Sequence, residues 1–136
     1  MKIFVDTAPF IYLMENNPGF AEKIKKAITE AIVKGHTLVT SVVTYMEFGV
    51  KPERENRQEV IQKFDELLSR LNIRMLEVDK EAGQMAFQMR AKYQFLKGMD
   101  ALQIGLSIKE NCSVFLTNDK NLKKIAEINV KTMDDL

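Results

Sequence analysis

The chain has 136 residues, 46% of them hydrophobic, and 20 Lys and Arg stand against 19 Asp and Glu for a formal net charge of +1. That length and apolar content suit one domain over residues 1–136 with a sizeable core, and near-neutrality argues against the strongly basic surface of a general nucleic-acid binder. One Cys (Cys112) and one His (His36) exclude an intrachain disulfide and leave zinc without a ligand set; no signal peptide and no apolar run near the ~20 residues of a membrane span is visible, so a cytoplasmic protein is expected.

Residues 2–5, Lys-Ile-Phe-Val, make a short apolar strand that ends in Asp6-Thr7. A helix over 8–15 follows, with Pro9 in its first turn, where a missing N–H costs nothing. Asn16-Asn17-Pro18-Gly19 is a turn. Ile24, Ala27, Ile28, Ala31 and Ile32 form the apolar stripe of a helix over 20–34, which Gly35 stops. A second strand covers 37–40. Ser41 then caps a helix to about residue 50 that carries Glu47, and Pro52 breaks it. Val60, Ile61, Phe64, Leu67, Leu68 and Leu71 share one face of a helix over 54–71, followed by a strand at 73–78. Asp79 caps the next helix, whose stripe runs from Ala82 to Tyr93 and Leu96 and which Gly98 ends.

Residues 98–119 are the most buried-looking stretch. Asp100 opens a nearly all-apolar helix, a polar turn occupies 109–111, and the strand Val114-Phe115-Leu116 runs into Thr117-Asn118-Asp119. A short helix at 119–126 and a strand at 128–132 complete the chain. Strand and helix alternate with short links, which predicts an α/β fold with a parallel sheet covered by helices. The eight methionines fall mostly on apolar faces, as core filler.

Four acids stand out by position. Asp6 and Asp119 close strands, Asp100 opens the buried helix, and Glu47 lies on a helix. Singly, each Asp reads as a helix cap, worth roughly 0.5–2 kcal/mol, and Glu47 as an exposed helical residue. Jointly they point elsewhere. A parallel sheet delivers the C-terminal ends of its strands to one edge, where open α/β sheets bind ligands. Carboxylates gathered there raise one another's pKa and need a cation. An all-oxygen set selects Mg²⁺ or Mn²⁺. Withdrawing these four acids into a pocket leaves the remaining surface at about +5, compatible with a polyanionic partner. No Gly-rich phosphate loop is present, which argues against a nucleotide cofactor.

These residues carry a resemblance. The strand closing in Asp6-Thr7, Ser41 followed by a helix bearing Glu47, Asp100-Ala101-Leu102, and Leu116-Thr117-Asn118-Asp119 stand in the order seen in PIN-domain ribonucleases, specifically VapC-type toxins of toxin–antitoxin pairs. The likeness spans almost the whole chain. It implies a single PIN-like (Rossmann-like) domain, a five-stranded parallel sheet in strand order 3-2-1-4-5 with helices on both sides. It implies that Asp6, Glu47, Asp100 and Asp119 hold Mg²⁺ or Mn²⁺ and hydrolyse an RNA phosphodiester to a 5′-phosphate and a 3′-hydroxyl, with Thr117, Thr7 and Ser41 in support. It further implies a small antitoxin partner and a homodimer. The chain departs from the family at Ala8, often a serine, and at Asn121, often a further acid that bears on a second metal position. Lys120, Lys123 and Lys124, with Lys51 and Arg54, are candidate phosphate contacts; as plain residues they are a solvated face. The alternatives are a housekeeping RNA-processing nuclease and a catalytically silent RNA- or protein-binding scaffold. An aspartyl phosphotransferase would need a second Asp where Ala8 stands.

Overall fold

The computed structural model describes all 136 residues. Five parallel strands, β1 (Lys2–Val5), β2 (Thr37–Ser41), β3 (Arg74–Leu76), β4 (Val114–Thr117) and β5 (Asn129–Thr132), form one sheet in the order β3-β2-β1-β4-β5. Both the all-parallel pairing and the order agree with expectation. β1 and β4 lie centrally, with Phe4 opposite Phe115 and Val5 opposite Leu116. Alternation along these strands feeds two cores. Phe4, Val39 and Phe115 point to one face, where the two rings stack 5.1 Å apart; Val5, Leu38 and Leu116 point to the other.

The second face is covered by α1 (Thr7–Met14), α2 (Ala21–Val33), α3 (Val42–Arg54) and α4 (Gln58–Arg70); the first by α5 (Lys80–Lys92), α6 (Gly98–Lys109) and a 3-10 helix at Lys120–Lys124. The stripes of α2 and α4 feed this core in part: Ile24, Ile28, Phe64 and Leu68 are buried, while Ile32 is 40% exposed. Helices α5 and α6 approach closely at Gly105, where a Cβ would lie 3.1 Å from the Ala82 carbonyl oxygen and the Ala86 nitrogen. Glycine is what lets the two backbones meet there.

Five helices stop in one way. Asn16, Gly35, Asn56, Asn72 and Asn111 each adopt positive φ just past the last helical turn. After α2, the His36 N–H donates to the Ala31 carbonyl and the Gly35 N–H to the Ile32 carbonyl, and the four Asn sites repeat this double bond. Glycine and asparagine adopt this left-handed cap at least cost. Gly35 was legible as such a stop.

Several boundaries differ from expectation: α4 begins at Gln58 and not at 54, and β3 is only Arg74–Leu76. Pro52 does not break α3, which runs on to Arg54. Proline removes one donor, but Pro52 is buried and its carbonyl accepts the Arg57 N–H at 2.8 Å, so tertiary packing carries the helix past it. Gly98 does not end α5; it begins α6. Helix α5 ends at Lys92 because Tyr93 turns to extended backbone, where its hydroxyl donates to Glu127 at 2.6 Å and accepts the Ala126 N–H. That pairing spans more than thirty residues and leaves no local signal.

Candidate active site

The C-terminal ends of β1 and β4 and the first turns of α1 and α6 bound an open cleft of about 560 Å³. Asp6, Glu47, Asp100 and Asp119 all line it, with Thr7, Ala8, Thr117 and Asn118. Asp6 is held at its place by the sheet itself: its N–H donates to the Leu116 carbonyl at 2.9 Å, prolonging the β1–β4 ladder.

Capping accounts for only one of the three aspartates. Asp119 does cap the 3-10 helix, its Oδ1 accepting the Asn121 N–H at 2.9 Å. Asp6 occupies the N-cap position of α1 without a side-chain cap bond. Asp100 lies inside the first turn of α6, where Lys97 is the N-cap residue. The Asp6 carboxylate is engaged in the interior instead. Its Oδ2 accepts from Thr117 Oγ1 at 2.8 Å and its Oδ1 from Gln103 Nε2 at 3.1 Å. Thr117 Oγ1 in turn accepts the Asp119 N–H at 3.2 Å, so one hydroxyl ties two of the acids together. Glu47 accepts from the Thr7 hydroxyl at 2.5 Å. Ser41 caps α3, accepting the Val43 N–H at 3.1 Å, and donates to Gln103 Oε1.

The electrostatics show how near the four acids are to one another. Burial pushes the Asp100 carboxyl up to about 6, and the charges of Asp6, Asp119 and Glu47 add to the rise, against the Lys97 ammonium. Asp6 is raised by burial and by Glu47, while the Thr7 N–H, Thr117 and Gln103 pull it down. As the side chains stand, no three His, Cys, Asp or Glu residues converge tightly enough to hold an ion. The hydrogen bonds give the reason: Asp6, Glu47 and Asp119 each turn an oxygen to a donor of the chain.

The candidate phosphate contacts Lys120, Lys123 and Lys124 do not line the cleft. Lys120 pairs with Asp134 at 3.3 Å and Lys123 with Asp135 at 2.7 Å, and the Lys124 ammonium lies 5.4 Å from the centre of the Phe95 ring. Lys51 pairs with Glu15 at 3.2 Å, and Arg54 is exposed at the end of α3. Gln103, Thr44 and Lys97 are residues of the site beyond those expected, and Asn118 was expected there only as part of the Leu116–Asp119 motif, with no role. Gln103 was detectable: with Ser107 it is one of only two polar residues between Asp100 and Lys109 in an otherwise apolar helix. Asn118, which donates to the Tyr12 hydroxyl at 2.8 Å, gave no signal beyond standing beside Asp119.

Fold and cleft together define a Rossmann-like α/β protein with an acidic site at the C-terminal edge of its sheet. The model of the PIN domain family matches residues 3–128, and the chain belongs to that family. Among solved structures it is similar to VapBC2 from Rickettsia felis bound to a promoter DNA fragment, with 18% identity over 97% of this chain and 98% of that one and a TM-score of 0.81. It is similar to DNA-bound VapBC from Salmonella typhimurium, with 21% identity over 98% of each chain and a TM-score of 0.79. It is also similar to VapC20 from Mycobacterium tuberculosis, a sarcin-ricin loop cleaving toxin, with 16% identity over 93% and 98% and a TM-score of 0.68. At such identities the likeness establishes fold. No curated protein matches the chain in sequence.

Proposed function

We propose that this chain is a Mg²⁺- or Mn²⁺-dependent endoribonuclease of the VapC type, the toxin of a toxin–antitoxin pair acting in the cytoplasm. The observation that carries the proposal is the gathering of four carboxylates, from segments spread over residues 6–119, on one cleft. Such mutual repulsion lowers stability and has no use in a passive scaffold.

The donor set fits a hard dication: it is all oxygen, and the charges of Asp6, Asp119 and Glu47, which add to the effect of burial on Asp100, are what a cation neutralises. Asp6, Asp100 and Asp119 would hold the ion, directly or through water, with Glu47 as a further ligand or as the group that orients the attacking water. A bound Mg²⁺ or Mn²⁺ supplies a water of lowered pKa and offsets charge on the phosphoryl oxygens. Thr117 keeps Asp6 and Asp119 together, and the Thr7 hydroxyl holds Glu47 at the rim. Lys120, Lys123 and Lys124 remain phosphate contacts only in competition with Asp134, Asp135 and Phe95. Asn121 has a neutral carboxamide where an acid would bring charge, which favours one ion over two.

A groove between α1 and α3 adjoins the cleft, sharing Ile11 and Glu47 with it, and is lined further by Met14, Phe48, Glu15 and Glu55. Its rim also carries Lys51, paired with Glu15, and Arg57, so it is mixed in charge, and its apolar residues suit the apolar face of an amphipathic antitoxin segment whose basic residues would meet Glu47 and Glu55. Helix α3 also exposes Val42, Met46 and Val50, one turn apart along a single ridge, a surface suited to a second copy of the chain.

The test is cleavage of total RNA by purified protein with Mn²⁺, with EDTA, and by Asp100→Asn shown to be folded. Cleavage confined to the metal-loaded wild type is expected; cleavage that survives EDTA or the substitution would overturn the proposal.

A further inference from the structure

We propose that Gln103 is the positioning residue of the acidic cleft: its carboxamide, from the interior side, fixes the Asp6 carboxylate at the cleft wall and locks α3 against α6, so that Glu47 and Asp100 keep their spacing. The inference rests on the metal-site reading above for its catalytic consequence, and on hydrogen-bond geometry for its structural core.

Gln103 is 1% exposed, in a helix whose buried residues also include Ala101, Ile104, Leu106 and Ser107. A carboxamide buried without partners is costly; this one is fully used. Nε2 donates to Asp6 Oδ1 at 3.1 Å and to Thr44 Oγ1 at 2.7 Å, and Oε1 accepts from Ser41 Oγ. The amide has one workable orientation. Ser41 Oγ already accepts the Val43 N–H, so its proton is free to go to Oε1. The flipped amide would set its oxygen against the Asp6 carboxylate.

The three partners come from three places in the chain. Asp6 follows β1 at the start of α1, Ser41 ends β2 and caps α3, and Thr44 lies in the first turn of α3. Glu47 follows Thr44 by three residues, and Asp100 precedes Gln103 by three, so each acid sits on the helix face of an anchored residue. One side chain therefore sets Asp6 directly and sets Glu47 and Asp100 through their helices. The task calls for a neutral group that both donates and accepts. A lysine would compete with a cation for the acids, and a glutamate would repel Asp6.

The test uses the full chain in two arms. In the metal-free wild type, the Gln103 side-chain amide protons, assigned by their loss in Gln103→Met, should resist exchange with D₂O and shift in Asp6→Asn. With metal, Gln103→Met and Gln103→Glu should bind Mn²⁺ about 10–100-fold more weakly by calorimetry, the range typical of groups that orient a ligand. Their kcat should fall while KM for RNA holds. Should Gln103→Met not fold, Ser41→Ala, which removes the donor to Oε1, should speed exchange of the same amide. Free exchange of the wild-type amide, or Mn²⁺ affinity and kcat unchanged in both Gln103 variants, would overturn the proposal. A protected amide in a wild type that binds no Mn²⁺ upholds the positioning of Asp6 and defeats the metal-site reading alone.

Discussion

Thr117 Oγ1 donates to Asp6 Oδ2 at 2.8 Å and accepts the Asp119 N–H at 3.2 Å, so a single buried hydroxyl joins the C-terminal ends of the two central strands. Thr117→Val keeps the shape and removes both bonds. The substitution leaves a buried carboxylate short of a donor and an N–H short of an acceptor, and is expected to cost about 1–3 kcal/mol. Urea unfolding reads the stability. RNA cleavage by the folded variant should fall with it, because two acids lose their common tie. A variant as stable and as active as wild type would contradict this role.

The elevated carboxyl of Asp100 makes metal-free stability depend on pH. In the unfolded chain Asp100 has its ordinary value of 3.8, and in the fold it titrates at about 6. Between these values the unfolded chain has released a proton that the fold retains. The stability linked to protonated Asp100 is thus full at low pH and lost as pH rises through about 6. Asp100→Asn should flatten that slope. At neutral pH, in EDTA, it should be about 1 kcal/mol more stable than wild type, with allowance for solvent screening of a half-buried group. Parallel stability curves for the two proteins would refute the repulsion.

Divalent metal should reverse that order. A ligand bound to the fold at 100 times its dissociation constant adds about 2.7 kcal/mol. Mn²⁺ should therefore raise the melting temperature of the wild type and leave Asp100→Asn nearly unmoved. Differential scanning fluorimetry across a Mn²⁺ series measures this directly. Equal shifts in both proteins would assign the ion to some other place on the surface.

Met46 is 53% exposed at the middle of the α3 ridge, between Val42 and Val50. If a second copy packs there, Met46→Lys places a charge in an apolar contact and should yield a monomer by light scattering, with an unchanged melting temperature at low concentration. The ridge lies on the helix that carries Glu47, so loss of cleavage together with the dimer would link assembly to the site. A wild type that is itself monomeric at high concentration would remove the dimer from the proposal.

The sequence by itself determined a parallel sheet covered by helices and the positions of four acids; the strand order and the grouping of those acids into one site came from the resemblance to PIN domains. The sheet and the acids rest on patterns that the chain carries locally: apolar runs of strand length, stripes at helical spacing, turn residues between them, and an Asp where β1 and β4 each end. Such patterns survive because burial on both faces of a parallel sheet leaves few alternatives. Tertiary structure alone decided what each acid does with its oxygens. Whether Asp6 caps α1 or turns inward to Thr117 and Gln103 depends on partners more than ninety residues away. So does the end of α5, where the Tyr93 hydroxyl finds the 126–127 backbone and side chain, and the continuation of α3 past a buried Pro52. Hydrogen bonds are short-ranged and directional, and the residues they join across this fold are distant in sequence, so no local pattern announces them.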